Sequence, residues 1–264
     1  MAITGTGTQA DPYIVDTWSD FVTAVGTTDA YVEIPPGTVW DMNDISPEGV
    51  VQTTVRCAKI NGNGATINNA RITNEALLYV SSSVTSTTIE NLNILNVLAD
   101  YHVLYNSGAP ATLNLERVVF SGILNSTALL YQYSHTINLN ECGFVLNGAS
   151  AHIYTIRQGY IYHNDCNLNI ELENIGEDRY GSRASMDLKN CYLSGKCSRI
   201  NLTTSATNNV INVEAAAVSA AQSNMNVANS DKCAEFTNVI AVTDEQMRDA
   251  AYLSSIGFPI GVTS

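Results

Sequence analysis

The chain has 264 residues, a mass of 28.4 kDa and 45% hydrophobic residues, which is enough to bury one substantial core in a single elongated domain. Its formal net charge is −13 and only 14% of its residues are charged, which argues against a nucleic-acid-binding protein and against attachment to an anionic membrane surface. No apolar segment approaches the length of about 18 residues that a membrane span needs, and the first residues lack the basic start and apolar run of a secretory signal.

The first predicted element is a short helix that follows a leader rich in glycine and threonine. Thr17 and Asp20 form a helix start signal. The apolar residues of one helical face are Trp18, Phe21, Val22 and Val25. A coil of stacked strands has an open end whose core and strand edges must be covered. We therefore predict that residues 1–49 form a leader and an N-terminal capping helix.

A short pattern then returns every 24 to 26 residues, as in TINLNECGFVLNG and SMDLKNCYLSG. Its first apolar column consists of Leu92, Val118, Cys142, Cys166, Cys191 and Ala216. Its second column, two positions later, consists of Ile94, Phe120, Phe144, Leu168, Leu193 and Val218. Alternation with period two is typical of half-buried strands, and a fixed repeat indicates stacked units. The sequence predicts an all-β fold, a parallel β-helix of about 24–25 residues per rung over residues 50–240.

Three cysteines occupy the same column and are expected about 4.8 Å apart on neighbouring rungs: Cys142, Cys166 and Cys191. We interpret them as small buried thiols that fill a narrow core. A metal or redox site is the alternative, but the sequence has no CxxC pair or histidine at ligand spacing beside them. We predict no metal site and no cofactor.

The last predicted element is a helix within residues 241–264. Thr243 and Gln246 form a capping box, and Gly257 stands where the helix stops. This helix either caps the C-terminal end of the coil or docks onto a larger assembly. The residues available for docking are Tyr252, Leu253, Ile256 and Phe258.

Several phrases resemble those of a known superfamily. They are GTGTQADPYIVDTWSDFVTAV near the start, VEIPPG, INGNGATI and the closing TDEQMRDAAYLSSIGFPI. The chain is similar to the pectin-lyase-like right-handed parallel β-helix superfamily, and more narrowly to its phage virion structural and fibre proteins. The resemblance implies a right-handed coil. It also implies two kinds of function, which are cleavage of acidic polysaccharides and non-catalytic spikes, fibres or decorations on virions.

Catalysis on such a coil needs acidic residues at matching offsets in adjacent rungs. Glu141 and Asp165 occupy such positions, and Arg117 lies in the same column. The consecutive aspartates and histidines of the superfamily's hydrolases are missing from these positions. We keep the three residues as weak catalytic candidates, against the simpler interpretation of an exposed ladder of charges.

A tyrosine recurs at intervals of 23 to 26 residues, usually after an apolar residue, and the predicted tyrosine column consists of Tyr79, Tyr105, Tyr131, Tyr154 and Tyr180. If the preceding residues point inward, these rings face solvent and form a contact surface for another chain or for a sugar. The alternative is that the tyrosines stack on one another or point inward after a register shift. The four histidines show no ligand spacing and are expected to be ordinary surface or turn residues.

The sequence therefore favours a non-enzymatic bacteriophage virion surface protein, such as a capsid decoration, a head fibre or a tail-associated fibre. By resemblance we expect a homotrimer that contacts other virion proteins and host-surface glycans, with a location on the virion and with neither nucleic acid nor membrane as a partner. The alternatives are a polysaccharide lyase or glycoside hydrolase of the β-helix type and a glycan-binding adhesin.

Overall fold

Alternating buried and exposed residues form short strands that pair with strands about one repeat away. The computed structural model describes residues 3–107, 112–125, 127–132, 136–156, 159–178, 184–189, 192–200, 206–207, 210–218, 240–241 and 251. The elements before residue 100 are β1 (Tyr13–Ile14), α1 (Trp18–Val25), β2 (Tyr31–Glu33), β3 (Val39–Asp41), α2 (Met42–Ile45), β4 (Thr53–Val55), β5 (Lys59–Asn68), β6 (Arg71–Ile72), β7 (Leu78–Val80) and β8 (Ser86–Ala99). Those after it are β9 (Leu104–Asn106), β10 (Thr112–Glu116), β11 (Val119–Leu124), β12 (Ala128–Gln132), β13 (Thr136–Asn140), β14 (Gly143–Ile156), β15 (Gly159–Asn164), β16 (Asn167–Asp178), β17 (Ala184–Lys189), β18 (Tyr192–Ile200), β19 (Ala206–Thr207), β20 (Val210–Val218) and β21 (Ile240–Ala241).

The strands stack in three parallel columns that run along one axis. One column contains β2, β5, β8, β10, β13, β15, β17 and β19. The second contains β3, β5, β8, β11, β14, β16, β18, β20 and β21. The third contains β4, β7, β9, β12, β14 and β16. The long strands bend from one column into the next. The protein is a mostly-β parallel solenoid, as the repeat predicted.

The interior follows the two apolar columns through the regular repeats. Phe120 pairs with Ile94 and with Phe144, and Phe144 pairs with Leu168. The two phenylalanine rings are buried and stack with centroids 5.6 Å apart and planes 12° from parallel. Stacked rings of this kind fill the core at native density and add aromatic contact energy to each rung.

The cysteine column is confirmed for its two described members. Cys142 and Cys166 are 1% and 0% exposed, and the strands that follow them pair in register through Gly143 and Asn167. The two thiols interact with each other across the rungs. They are therefore packed core residues, as the sequence interpretation held, while Cys191 lies outside the described residues.

The predicted alignment of the last repeat is wrong. Leu193 pairs with Ile211, which precedes the expected partner Val218 in the chain. Val218 pairs with Ile200, and Ala216 is displaced with it. The prediction assumed rungs of constant length, whereas this rung is shorter than those before it.

The N-terminal helix is confirmed as α1. The Thr17 hydroxyl accepts a hydrogen bond from the Asp20 amide at 3.2 Å, which satisfies one of the orphan donors of the first turn. Phe21 is fully buried, and its ring lies 5.1 Å from Trp18 and 5.0 Å from Trp40. Its neighbour Val22, expected on the same apolar face, is 36% exposed. The buried residues of the helix are Phe21, Ala24 and Val25, so the buried face lies toward Ala24 and leaves Val22 at its edge.

Strands on both sides of residue 50 belong to the same parallel stack, so the boundary between leader and coil stays a prediction. The predicted helix within residues 241–264 lies outside the described residues apart from Ala241, which belongs to β21, and Ala251. Within the described residues, no helix has the length and apolar character needed to cross a membrane.

Candidate functional site

The three catalytic candidates belong to a column of turn residues that we call the turn ladder: Asn91, Arg117, Glu141 and Asp165. All four have left-handed backbone conformations, with φ of 53° at the first three and 56° at Asp165. Asparagine tolerates this conformation well, whereas it is sterically unfavourable for arginine and glutamate. The ladder therefore marks one corner of the coil, between the first and second columns of strands.

Arg117 is the centre of the ladder. Its Nε group donates a hydrogen bond to Asn91 Oδ1 at 2.7 Å, and its Nη1 group lies 3.6 Å from Glu141 Oε2. A second carboxylate, Glu116 Oε2, lies 3.9 Å from Nη2. Asn91 in turn donates to Asn61 Oδ1 at 3.1 Å. The side chains of the corner are bonded to one another along the axis.

This arrangement lacks the features that make a carboxylate a good acid catalyst. The side chain of Glu141 is 56% exposed and faces Arg117, whereas the general acid of a glycosidase lies in apolar surroundings that keep it protonated. Asp165 occupies the next rung, at the same corner. In the described part of the chain, no group of three or more histidine, cysteine, aspartate or glutamate side chains is placed to hold a metal ion. The geometry suits a weak surface ladder of charges.

Asparagines form similar ladders beside it. Asn164 donates to Asn140 Oδ1 at 3.0 Å, and Asn138 donates to Asn114 Oδ1 at 2.8 Å. Each pair joins adjacent rungs, so these polar side chains are satisfied by their own neighbours. They strengthen the stack in the direction of its axis.

The predicted tyrosine column is present for three residues, which we call the tyrosine stack: Tyr79, Tyr105 and Tyr131. Successive rings lie 5.4 Å and 4.6 Å apart, with planes 18° and 13° from parallel. All three side chains are half-buried. Because the rings cover one another's faces, the stack presents mainly ring edges outward, whereas sugar recognition by stacking uses a ring face.

His102 completes the tyrosine stack, and no pattern in the sequence indicated this. Its ring centroid lies 4.9 Å from Tyr131 and 4.6 Å from Tyr101. Its Nδ1 atom is 2.9 Å from the carbonyl oxygen of Ala128. A carbonyl can only accept, so Nδ1 carries a proton. The histidine is part of a packed aromatic cluster and is less ordinary than expected.

The other predicted contact residues do not join the tyrosine stack or lie outside the described residues. Tyr154 is fully buried and pairs with Leu130, so the prediction that its ring faces outward was wrong. Tyr154 follows Tyr131 by 23 residues, whereas paired residues of β12 and β14 are 24 residues apart, so Tyr154 falls one position short of the column and points inward. Thr155 takes the place opposite Tyr131. Tyr180 and the docking residues Tyr252, Leu253, Ile256 and Phe258 lie outside the described residues.

The buried thiols of Cys57 and Cys142 are poorly reactive. Burial raises the pKa of Cys57 to about 12 and raises that of Cys142 well above its ordinary value. The Cys142 thiol donates to the carbonyl oxygens of Leu115 and Asn140, each at 3.4 Å. A thiol held in its protonated form is a poor nucleophile and a poor metal ligand.

An apolar row is exposed on the outer face of the second strand column. Leu98 pairs with Ile123 on the next rung, and their side chains are 40% and 50% exposed. Val145, on the rung after that, is also 50% exposed. Val145 pairs with Ser121, two positions before Ile123 in the strand, so the three residues form an oblique row across three rungs, which we call the apolar row.

A scan against family models, a search of curated proteins and a search of solved structures each gave no match to this chain.

Proposed function

We propose that the protein is a non-enzymatic structural protein of a bacteriophage virion surface, of the decoration or fibre kind, within the pectin-lyase-like superfamily that its sequence resembles. The observation that carries this proposal is the bonding of outward side chains along the coil axis. The turn ladder, the asparagine ladders and the tyrosine stack all use their polar or aromatic groups on one another. Such columns favour a stiff rod over a cleft that processes substrate.

Self-association is the second part of the proposal, with a homotrimer as the assembly. The apolar row crosses three rungs obliquely, so copies lying side by side can cover one another's rows over these rungs. Removing these side chains from water favours association, at roughly 25 cal/mol per Å² of apolar surface.

The assembly is tested by light scattering on the purified full chain. We expect a mass of about three times 28.4 kDa for the native protein and a monomer for Ile123→Asp, because a carboxylate cannot be buried unpaired in the interface. Ile14→Asp is the matched control, since Ile14 is 37% exposed and lies on β1, which pairs with β2 of the first strand column. A monomeric native protein, or a trimer that survives Ile123→Asp, contradicts this part.

The virion location is tested by mass spectrometry of particles purified from a lysate of cells that carry the gene. We expect the chain in the particle fraction, and its absence contradicts the assignment. Cleavage of an acidic polysaccharide by the native protein, abolished in the double variant Glu141→Gln with Asp165→Asn, would replace the structural assignment by the enzymatic one.

Contact with host-surface glycans belongs to the same proposal. A glycan array with the native full-length protein tests it, and no binding to any glycan counts against it. The variant Tyr131→Ala distinguishes glycan binding by the tyrosine stack from glycan binding by other surfaces. Ring edges are a weak platform for sugars, which favours the other surfaces.

A further inference from the structure

A pocket of about 220 Å³ opens on the outer face of the first strand column, at its N-terminal end. Its lining residues are Gln9, Pro12, Tyr31, Val32, Glu33, Lys59 and Asn61. The outward residues come from strands β2 and β5, where Tyr31 pairs with Lys59 and Glu33 with Asn61. The leader forms the rim. None of the candidates that the sequence suggested lies here.

The leader is fixed against the coil by its own backbone, so the pocket is preformed. The Tyr31 amide donates to the carbonyl of Gly7 at 2.9 Å, and the Thr8 amide donates to the carbonyl of Asp11 at 3.1 Å. Gly7 has φ of 75°, and a Cβ at this position would lie 2.5 Å from the Tyr13 ring. The two hydrogen bonds and the packing of Gly7 against the Tyr13 ring keep Gln9 and Pro12 beside the strands. This lowers the entropic cost of binding a ligand.

The charges of the pocket disfavour an anionic ligand. Lys59 Nζ lies 2.8 Å from Glu90 Oε1, and the side chain of Glu90 is only 12% exposed. Glu33 adds a second carboxylate to the lining. One ammonium group and two carboxylates give the site and its surroundings a net negative charge, so phosphate, sulfate and uronate groups are repelled.

The polar groups instead match a ligand with several hydroxyl groups. Asn61 Oδ1 already accepts from the Asn63 amide and from Asn91 Nδ2, each at 3.1 Å, so Asn61 offers its amide nitrogen as a donor. Lys59 has further N–H donors beyond the one directed at Glu90, and Glu33 accepts. Tyr31 and Pro12 supply apolar surface beside these groups, which is how sugar sites combine a ring with donors and acceptors.

The volume sets the size of the ligand. Pockets for drug-sized molecules measure roughly 300–1,000 Å³. A pocket of about 220 Å³ is smaller and suits a single ring. We propose that this pocket binds one neutral hexose unit of a glycan through Tyr31, Glu33, Lys59 and Asn61. This inference rests on the glycan-contact part of the proposed function and places that contact away from the tyrosine stack.

Saturation-transfer NMR on the full chain tests the pocket with glucose, galactose, mannose and N-acetylglucosamine, and with glucuronate as the anionic comparison. We expect transfer to at least one neutral sugar and none to glucuronate. Glu33→Gln should weaken binding about tenfold, because the hydrogen bond to a charged acceptor becomes one to a neutral acceptor. Glu48→Gln is the matched control, since Glu48 is exposed and outside the pocket, and it should bind like the native chain.

Tyr31→Ala should abolish transfer. If Tyr31→Ala does not fold, Gln9→Ala in the exposed leader is the second variant, and it should reduce transfer. The proposal is overturned by transfer to no neutral sugar, by equal transfer to glucuronate, or by unchanged binding in Glu33→Gln. Sugar binding that survives Glu33→Gln but is lost in Tyr131→Ala keeps the glycan contact and moves it to the tyrosine stack. A chain missing from purified particles that still binds the sugar removes only the virion assignment.

Discussion

Single residues control where the coil bends. Gly122 has φ of 145° and lies at an irregularity of the pairing between β11 and β8. A Cβ at Gly122 would lie 2.2 Å from the carbonyl oxygen of Val97, a backbone atom that cannot move aside cheaply. Only glycine fits this position, because both the conformation and the space exclude a side chain.

We expect Gly122→Ala to lower the free energy of unfolding by at least about 2 kcal/mol, since it adds a clash to a strained conformation. Gly143→Ala is the control: a Cβ there would meet only the Val119 methyl groups at 3.6 and 3.7 Å, which is ordinary contact. Urea denaturation followed by circular dichroism measures both. Equal stability of the two variants contradicts the assigned role of Gly122.

The buried thiol of Cys57 makes the free energy of unfolding depend on pH in the alkaline range. Below about pH 9 the Cys57 thiol is neutral in both states, and its burial has no pH-dependent cost. Between pH 9 and about 12 it ionises only in the unfolded chain, so the free energy of unfolding falls by up to about 1.4 kcal/mol per pH unit. We expect Cys57→Ala to have a flatter profile from pH 9 upward, measured as the urea midpoint. Parallel profiles for the two proteins would show that this thiol does not matter.

Residue types explain which part of the corners the sequence could reveal. Asparagine tolerates a left-handed backbone, and Asn91 and Asn96 adopt it with φ of 53° and 54°. Arg117 and Glu141 have the same conformation without any such preference. Their placement follows from neighbouring rungs, which a single copy of the repeat does not contain. The ion pair between them was foreseeable only as a shared column.

At the level of elements, the tyrosine stack couples three strands that are distant in sequence. Tyr79, Tyr105 and Tyr131 come from β7, β9 and β12, and each ring touches the ring of the next rung. A stacked pair contributes about 0.5–1.5 kcal/mol beyond the area that it buries. The stack therefore holds together one side of the coil.

A double-mutant cycle measures this coupling. We expect Tyr79→Ala and Tyr105→Ala to show an interaction energy of about 0.5–1.5 kcal/mol, because their rings stack directly. The cycle between Tyr79 and Tyr131, two rungs apart, is the control and should give nearly zero. Chemical denaturation of the single and double variants provides the values. Similar energies in both cycles would mean that the coupling does not come from ring contact.

Elements also show why Tyr154 could not be placed from sequence. The period-two pattern and the regular spacing of the repeat were enough to predict the pairing of Phe120 with Phe144. The interval from Tyr131 to Tyr154 is one residue shorter than this rung, and the sequence alone does not show whether the intervening bend absorbs that difference or reverses the side chain. Regular stretches of the repeat are predictable, and local irregularities within a strand are not.

At the scale of the whole molecule, the N-terminal cap closes a core that would otherwise be open to water. Phe21 fills this end together with Trp18 and Trp40, and the Trp40 indole donates to the carbonyl of Asp16 at 3.0 Å. In a stack where each rung contacts only its neighbours, the terminal unit protects all of the following ones.

We expect Phe21→Ala to cost about 3–5 kcal/mol, the usual range for deleting a buried phenylalanine. Amide hydrogen exchange should increase first in β2, β3 and β4, the strands that contact the cap. Val22→Ala, on the same helix but 36% exposed, should cost less than about 0.5 kcal/mol. Faster exchange spread evenly over the chain would contradict a local capping role.

Rungs of unequal length remove the strict periodicity of the coil. Along the second strand column, paired residues are 27 positions apart at Trp40 and Ile67, 24 at Phe120 and Phe144, 18 at Leu193 and Ile211, and 30 at Val210 and Ile240. A strand displaced to a neighbouring rung would therefore meet a connecting segment of the wrong length. The unequal rungs favour a single stacking order of the strands, which an exactly repeated sequence would leave ambiguous.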